Sequence, residues 1–174
     1  MAFLFIDTTY DISLGLLDHN LNWVSFNTHI GQKASHVIQM QTHLLLKAQG
    51  LSLRELEGVV SVAGPGFYTG LRLSEGFADV LTFSGLKHYS FLSYSIPFLA
   101  DYHSGVWITK AYRGEYFFHH WDSISHKNVL ISHKELESYV SGLKDSTIFI
   151  HSDSALDESS RKSIKKSQTT LELI

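Results

Sequence analysis

Three short, bulky apolar runs open the chain, at residues 3–8, 12–17 and 21–28, with the turn signal Asp18-His19-Asn20 between the last two. Runs of this length bounded by turn residues predict strands, and tight connections between them predict an antiparallel meander. At residue 33 the period changes. Wound at about 100° per residue, Ala34, Val37, Ile38, Met40, Leu44, Leu45 and Ala48 share one arc roughly 160° wide, with His36, Gln39, His43 and Lys47 opposite. The pattern predicts an amphipathic helix over 33–49, stopped by Gly50. Two readings of its broad apolar face stay open: all of it packs on the sheet, or its rim residues Met40 and Leu44 face a partner.

Residues 53–56 read as a short turn or helix, and 58–63 as a buried strand of the parallel kind, broken by Gly64-Pro65-Gly66. A second helix is predicted over 69–84. It carries Leu71, Leu73, Phe77, Ala78, Val80, Leu81 and Phe83 around most of its circumference, with Arg72, Glu75, Asp79 and Thr82 as a polar stripe. A helix apolar on so many sides is either central or covered by another protein. Beyond it, 88–93 reads as a strand, 94–102 as a helix with Pro97 near its first turn, and 106–111 and 115–121 as strands joined at Arg113-Gly114. Residues 132–140 read as a helix opened by the capping box Ser132/Glu135, 147–150 as a last strand, and 155–174 as a weak helix or a mobile end. A meander followed by alternation predicts a mixed sheet flanked by helices, not a dinucleotide-binding domain.

Composition narrows the function. Of 174 residues, 44% are hydrophobic and 18% charged, enough for a sizeable core. A net charge of −3 lacks the footprint of a protein that grips a long nucleic-acid backbone alone. With no cysteine, disulfides, thiolate zinc sites and cysteine nucleophiles are excluded. The opening apolar run stops at Asp7 without a basic leader, and no stretch approaches the ~20 apolar residues of a membrane span. These features lead to the expectation of a soluble, cytoplasmic protein without a membrane partner.

Two segments are candidates for chemistry. Asp7-Thr8-Thr9 ends the first strand, and it reads either as a carboxylate and hydroxyls placed near a magnesium-bound phosphate or as a turn closed by its own side chains. Gly64, Gly66 and Thr69 belong to the glycine loop Gly64-Pro65-Gly66-Phe67-Tyr68-Thr69-Gly70-Leu71-Arg72. Such a loop before a helix can turn backbone N–H groups toward an anion, with Thr69 as cap. It is not a Walker A loop, since no Gly-Lys-Ser/Thr follows. Arg72 in the first turn opposes the helix dipole, and it reads either as a group for an anion or partner carboxylate or as an ordinary surface arginine. Of eleven histidines, His36, His43, His119, His120, His126 and His133 are suggestive, yet none forms a His-Glu-x-x-His pair. No metal site is expected.

Phe5-Ile6-Asp7-Thr8-Thr9, the helix from Ser35-His36-Val37 onward, the glycine loop with its Thr-Gly-Leu-Arg, and Ala111-Tyr112-Arg113-Gly114-Glu115-Tyr116 together resemble the TsaB (YeaZ) family over roughly residues 1–120. The resemblance implies an α/β, actin-like ATPase (ASKHA, ribonuclease H-like) fold. Its N-terminal lobe would be residues 1–103 and its shortened second lobe 104–174. It further implies a non-catalytic scaffold and activator in forming threonylcarbamoyladenosine at position 37 of tRNA. The implied partners are a TsaD-like paralogue, a TsaE-like ATPase or a second copy of the chain. Transfer RNA would be met only through the complex, and ATP is used by the complex with no cofactor held here. The two helices after the first strands would carry the interface, with His36, Met40, Leu44, Arg72, Leu73, Glu75 and Phe77 as its residues. Catalytic TsaD relatives carry His-x-x-x-His on the first helix, whereas here His36 is followed by Met40. Thr109-Lys110 occupies the region where the family usually has an acidic residue. The rival expectation is a small kinase or ATPase of the same superfamily, using Asp7 and the glycine loop on phosphates.

Overall fold

A computed structural model describes residues 2–142, 147–150, 158 and 170–173. The chain divides into two units, 1–91 and 92–174. The break therefore falls after Phe91 and not after residue 103. Tyr94 stacks on His119, and Tyr102 accepts a hydrogen bond from Trp121 Nε1 at 2.8 Å, so residues 92–103 belong to the second unit.

The first unit is a five-stranded sheet in the order β3-β2-β1-β4-β5 with two helices. Its strands are β1 (Ala2–Asp7), β2 (Ile12–Asp18), β3 (Trp23–His29), β4 (Leu56–Val62) and β5 (Lys87–Phe91). The meander expected at the start is present: β1 and β2 run antiparallel with Asp7 opposite Ser13, and β2 and β3 likewise. β4 then lies parallel to β1, and β5 parallel to β4. Helix α1 (Ala34–Ala48) makes the first crossover and α2 (Tyr68–Thr82) the second. Alternate strand residues Leu4, Ile6, Leu14, Leu16 and Val59 are buried with Ile38, Leu45 and Leu46 of α1 and Ala78 and Leu81 of α2. Each such valine, leucine or isoleucine side chain contributes about 1.5–3 kcal/mol relative to exposure. Gly50 follows α1 at φ +66°, a left-handed position that glycine takes without cost.

The buried arc of α1 is rotated from the one the apolar letters draw. Ile38, Thr42, Leu45 and Leu46 are buried, while Met40 and Leu44 are 53% and 48% exposed. Nor is α2 central. It buries Ser74, Ala78 and Leu81, half-buries Leu71, Leu73 and Phe77, and leaves Val80 outside. Just past its end, Phe83 is 93% exposed.

The second unit holds a sheet in the order β10-β9-β6-β7-β8. It comprises β6 (Gly105–Lys110), β7 (Glu115–Trp121), β8 (His126–Ser132), β9 (Thr147–Ile150) and β10 (Thr170–Leu173), with α3 (Ile96–Leu99) and α4 (Leu136–Ser141). Val106, Trp107, Ile108 and Thr109 are all buried, so both faces of β6 are covered. Pro97 sits in the first turn of α3, as expected. Arg113 and Gly114 turn the chain between β6 and β7 at φ 57° and 79°. The capping box Ser132/Glu135 is formed, with Ser132 Oγ donating to Glu135 at 2.5 Å, and it opens a 3-10 turn that leads into α4. Two strands were not expected, β8 and β10. Most of the 155–174 segment, read as a weak helix or mobile end, lies outside the described residues.

Candidate functional site

The turn after β1 folds onto the glycine loop. Thr9 donates both its backbone N–H (2.8 Å) and its hydroxyl (2.6 Å) to Asp7 Oδ1. This is the self-closed turn, one of the two readings of Asp7-Thr8-Thr9. All three residues are buried. Thr8 Oγ1 donates to the Gly70 carbonyl at 2.7 Å, and the Phe67 N–H donates to the Thr9 carbonyl at 2.8 Å. The loop's glycines serve this approach. A Cβ on Gly66 would lie 2.5 Å from Thr9 Cβ, and one on Gly70 would run into the Thr8 carbonyl oxygen. Gly64, at φ +119°, takes a conformation reserved for glycine. The loop thus packs closely on the chain's own Thr8 and Thr9, with the Phe67 N–H directed at the Thr9 carbonyl.

Thr69 does not cap α2. The cap position is Phe67, whose carbonyl accepts from the Leu71 N–H at 3.0 Å and whose own N–H is tied to Thr9. That tie starts the helix at Tyr68 and leaves Thr69 inside it, exposed. Arg72 is exposed and makes its contacts along its own helix. Its Nε donates to the Tyr68 hydroxyl at 3.1 Å, its guanidinium lies over the Tyr68 ring, and Glu75 is 3.7 Å away. The Tyr68 hydrogen bond, then the Tyr68 and Glu75 charges, hold it protonated more firmly than an ordinary arginine.

On the helices, His36, Met40 and Leu44 of α1 and Arg72 and Glu75 of α2 are exposed. Leu73 and Phe77 are half-buried and pack against the core cluster. The expected interface residues therefore separate into exposed ones and ones shared with the fold.

The adjacent histidines of β7 point to opposite faces, as the strand period requires. His119 stacks on Tyr94 and Trp121 and meets Asn128 Oδ1 at 2.7 Å. His120 Nε2 lies 2.5 Å from the Tyr139 hydroxyl. Burial pushes both below the usual histidine pKa of 6.5; for His119 the Asn128 hydrogen bond opposes this and His126 adds to it, and for His120 first His119 and then Lys127 add to it. The folded state prefers both neutral, so the unfolded chain binds more protons once pH falls through about 6.5. Stability supplied by these residues is present above that pH and lost below it. The urea midpoint is expected to drop between pH 7.5 and 5.5, and a His119→Gln/His120→Gln variant to show a shallower drop.

One polar pair went unpredicted. Ser61 Oγ on β4 lies 2.8 Å from His88 Nε2 on β5, beside a cavity of about 140 Å³ that Ser74 and Glu75 also line. The signal was a serine inside the apolar run 58–63, since a buried hydroxyl needs a partner. Among the described residues no group of three or more His, Cys, Asp and Glu is placed to hold a metal ion. Among them, too, no helix is long and apolar enough to cross a membrane.

No protein-family model matches the chain, and no curated protein matches its sequence. Solved structures do. The chain is similar to YeaZ from Pseudomonas aeruginosa, with a TM-score of 0.65 and 14% identity over 86% of this chain and 76% of that one. It is similar to the ethanolamine utilization protein EutJ from Carboxydothermus hydrogenoformans, with a TM-score of 0.55 and 11% identity over 99% and 83% of the two chains. It is also similar to the activator of the 2-hydroxyisocaproyl-CoA dehydratase from Clostridium difficile, solved with bound ADPNP (TM-score 0.56, 10% identity, 100% and 88% coverage). Likeness at these identities establishes the fold. The chain has the actin-like ATPase fold, with mixed sheets flanked by helices.

Proposed function

We propose, from this fold and the motifs that resemble the TsaB family, that the chain is a non-catalytic subunit of the assembly that forms threonylcarbamoyladenosine in tRNA. In this reading a TsaD-type catalytic subunit covers α1 and α2, and a TsaE-type ATPase joins them in the cytoplasm. Transfer RNA and ATP are handled by the complex. The observation that carries the reading is the apolar surface left outside on two neighbouring helices: Met40 and Leu44 on α1, and Val80 on α2. Large apolar residues grouped on a surface mark interaction sites. An interface of standard size buries about 1,600 Å² in total, within reach of two four-turn helices and their flanks. The glycine loop is compatible with the same reading, because its close approach is to Thr8 and Thr9 of the chain itself.

The second reading, a small kinase or ATPase, is favoured by the ADPNP-bound activator that shares the fold. Expression of this chain in cells depleted of their own TsaB separates the two. Restored threonylcarbamoyladenosine, together with no heat of ATP binding to the isolated chain, is the expected result. Micromolar ATP binding that Asp7→Ala abolishes, without restoration of the modified nucleoside, would replace the subunit by the enzyme.

A further inference from the structure

One face of the β7–β8 ladder brings two histidines together. His119 lies opposite Asn128 and Trp121 opposite His126, so His119 and His126 are diagonal neighbours on the same side of the sheet. Their ring centroids are 5.6 Å apart. No spacing motif announces the pair, because it depends on β8, a strand that was not expected.

The surroundings orient both rings. His119 stacks on Tyr94 at 4.2 Å and on Trp121 at 5.8 Å, and Phe98 meets His126 edge to face at 6.0 Å. His119 Nδ1 lies 2.7 Å from Asn128 Oδ1. An amide oxygen only accepts, so Nδ1 donates, and the neutral ring keeps its lone pair on Nε2. Metal-binding histidines are fixed in this way, the second ring nitrogen donating to an oxygen. Among the described residues, neither His119 Nε2 nor either ring nitrogen of His126 has a hydrogen-bond partner. His119 as a whole is 7% exposed, yet its Nε2 is not among the sealed, unpartnered side-chain atoms of the described residues, so it keeps access to solvent. His126 is exposed.

The spacing suits one shared ion. A metal about 2.0–2.1 Å from a nitrogen of each ring stands about 3.2 Å from each ring centre. With ~90–120° between the two ligands, the ring centres are then about 4.5–5.5 Å apart. The observed 5.6 Å is at the wide end of that span, and the exposed His126 is the ring able to close it.

We propose that His119 Nε2 and His126 bind one divalent transition-metal ion, copper(II) ahead of nickel(II) and zinc(II), with water in its remaining positions. No third His, Cys, Asp or Glu joins them among the described residues. The Asp122 carboxylate next to the strand is taken up by the β7–β8 turn, where it accepts from the Ile124 and Ser125 N–H groups at 2.7 Å each. Two imidazoles with water suit tetragonal copper(II), which heads the affinity order for such donors, whereas zinc is held by three or four protein ligands. Asn128 is a positioning residue, acting through His119.

Titration of the full chain with copper(II), nickel(II) and zinc(II) salts in a non-coordinating buffer tests this. Tryptophan fluorescence is the first readout, because Trp121 stacks beside His119 and a bound copper(II) ion quenches it. The wild type is expected to bind one copper(II) per chain saturably, with an electron paramagnetic resonance spectrum split by two nitrogens. His126→Gln, at an exposed position, is expected to weaken binding more than tenfold and to lose the second nitrogen. Asn128→Ala is expected to weaken it about tenfold, and Asn128→Asp, which keeps an acceptor for Nδ1, to restore it. His19→Gln, at an exposed histidine of the β2–β3 turn, is expected to bind as the wild type does. Absence of saturable quenching, undiminished binding in His126→Gln, or a one-nitrogen spectrum in the wild type would each overturn the proposal, the second by showing adventitious binding at other histidines. The site lies in the second unit and the titration contains no partner subunit, so its failure leaves the subunit reading standing, and the reverse holds too.

Discussion

Gly70→Ala is expected to lower the unfolding free energy by about 3 kcal/mol, although alanine is the better helix former. In an unconstrained helix interior the exchange stabilises by about 1 kcal/mol, because glycine loses more backbone freedom on folding. At Gly70 the new methyl meets the Thr8 carbonyl oxygen, with the carbonyl carbon 3.0 Å away. Both are backbone atoms, so no rotamer change relieves the overlap. Nor can the turn withdraw cheaply. Thr8 Oγ1 is bonded to the Gly70 carbonyl, Thr9 is bonded twice to Asp7, and the Phe67 N–H is bonded to Thr9. Gly76, two turns on in the same helix, has nothing within 4 Å of its missing Cβ. Gly76→Ala is therefore expected to raise stability by about 1 kcal/mol. Urea unfolding of the two variants measures one substitution, in one helix, with opposite signs. A neutral or stabilising Gly70→Ala would mean that the glycine loop does not dock on the β1–β2 turn.

Much of this was legible before any coordinates, and the exceptions have physical causes. The meander of β1–β3 was plain because each strand is a compact apolar run closed by turn residues. The end of α1 was plain because Gly50 supplies the left-handed residue a helix stop needs. β8 was not. Its sequence, His126-Lys127-Asn128-Val129-Leu130-Ile131-Ser132, buries Ile131 alone, since an edge strand is held by backbone pairing to β7 and needs little apolar patterning. β10 was hidden in the same way, its pairing with β9 being long-range and absent from local periodicity.

At the candidate site, the bonds from Thr8 to Gly70 and from Phe67 to Thr9 join segments some sixty residues apart, 62 for Thr8 and Gly70. Motif spacing brought both segments to notice, but their contact with each other is written in neither of them. The same holds for Thr69, which has the composition of a cap and loses the place because Phe67 is tied to Thr9. On α1, Thr42 is buried where the apolar arc places no residue, while Met40 and Leu44, members of that arc, face outward. Helical periodicity gives the existence of an apolar face. The rotation of that face depends on which residues the sheet accepts.

That rotation decides which substitution tests the partner face. Leu44→Glu is expected to weaken association with a TsaD-type subunit more than 100-fold while changing the chain's own stability by less than about 0.5 kcal/mol. A hundredfold corresponds to about 2.7 kcal/mol. Two losses supply it: the apolar area Leu44 would bury, and the cost of taking a carboxylate out of water with no cation opposite. In the isolated chain both losses are small at a residue about half open to solvent (48% exposed), so the variant stays folded. Met40→Glu shares this property at 53% exposure. Charge reversal at Leu73 or Phe77, the other apolar residues of the expected interface, does not. Both side chains pack against the core cluster, so a carboxylate there damages the fold and the contact together. Arg72→Glu would unpair a surface arginine from Glu75 and is expected to move affinity by less than tenfold. The measurement is co-purification and calorimetry with the catalytic subunit, alongside urea unfolding of the free chain. A Leu44→Glu chain that is folded and still binds as the wild type does would remove the partner from α1.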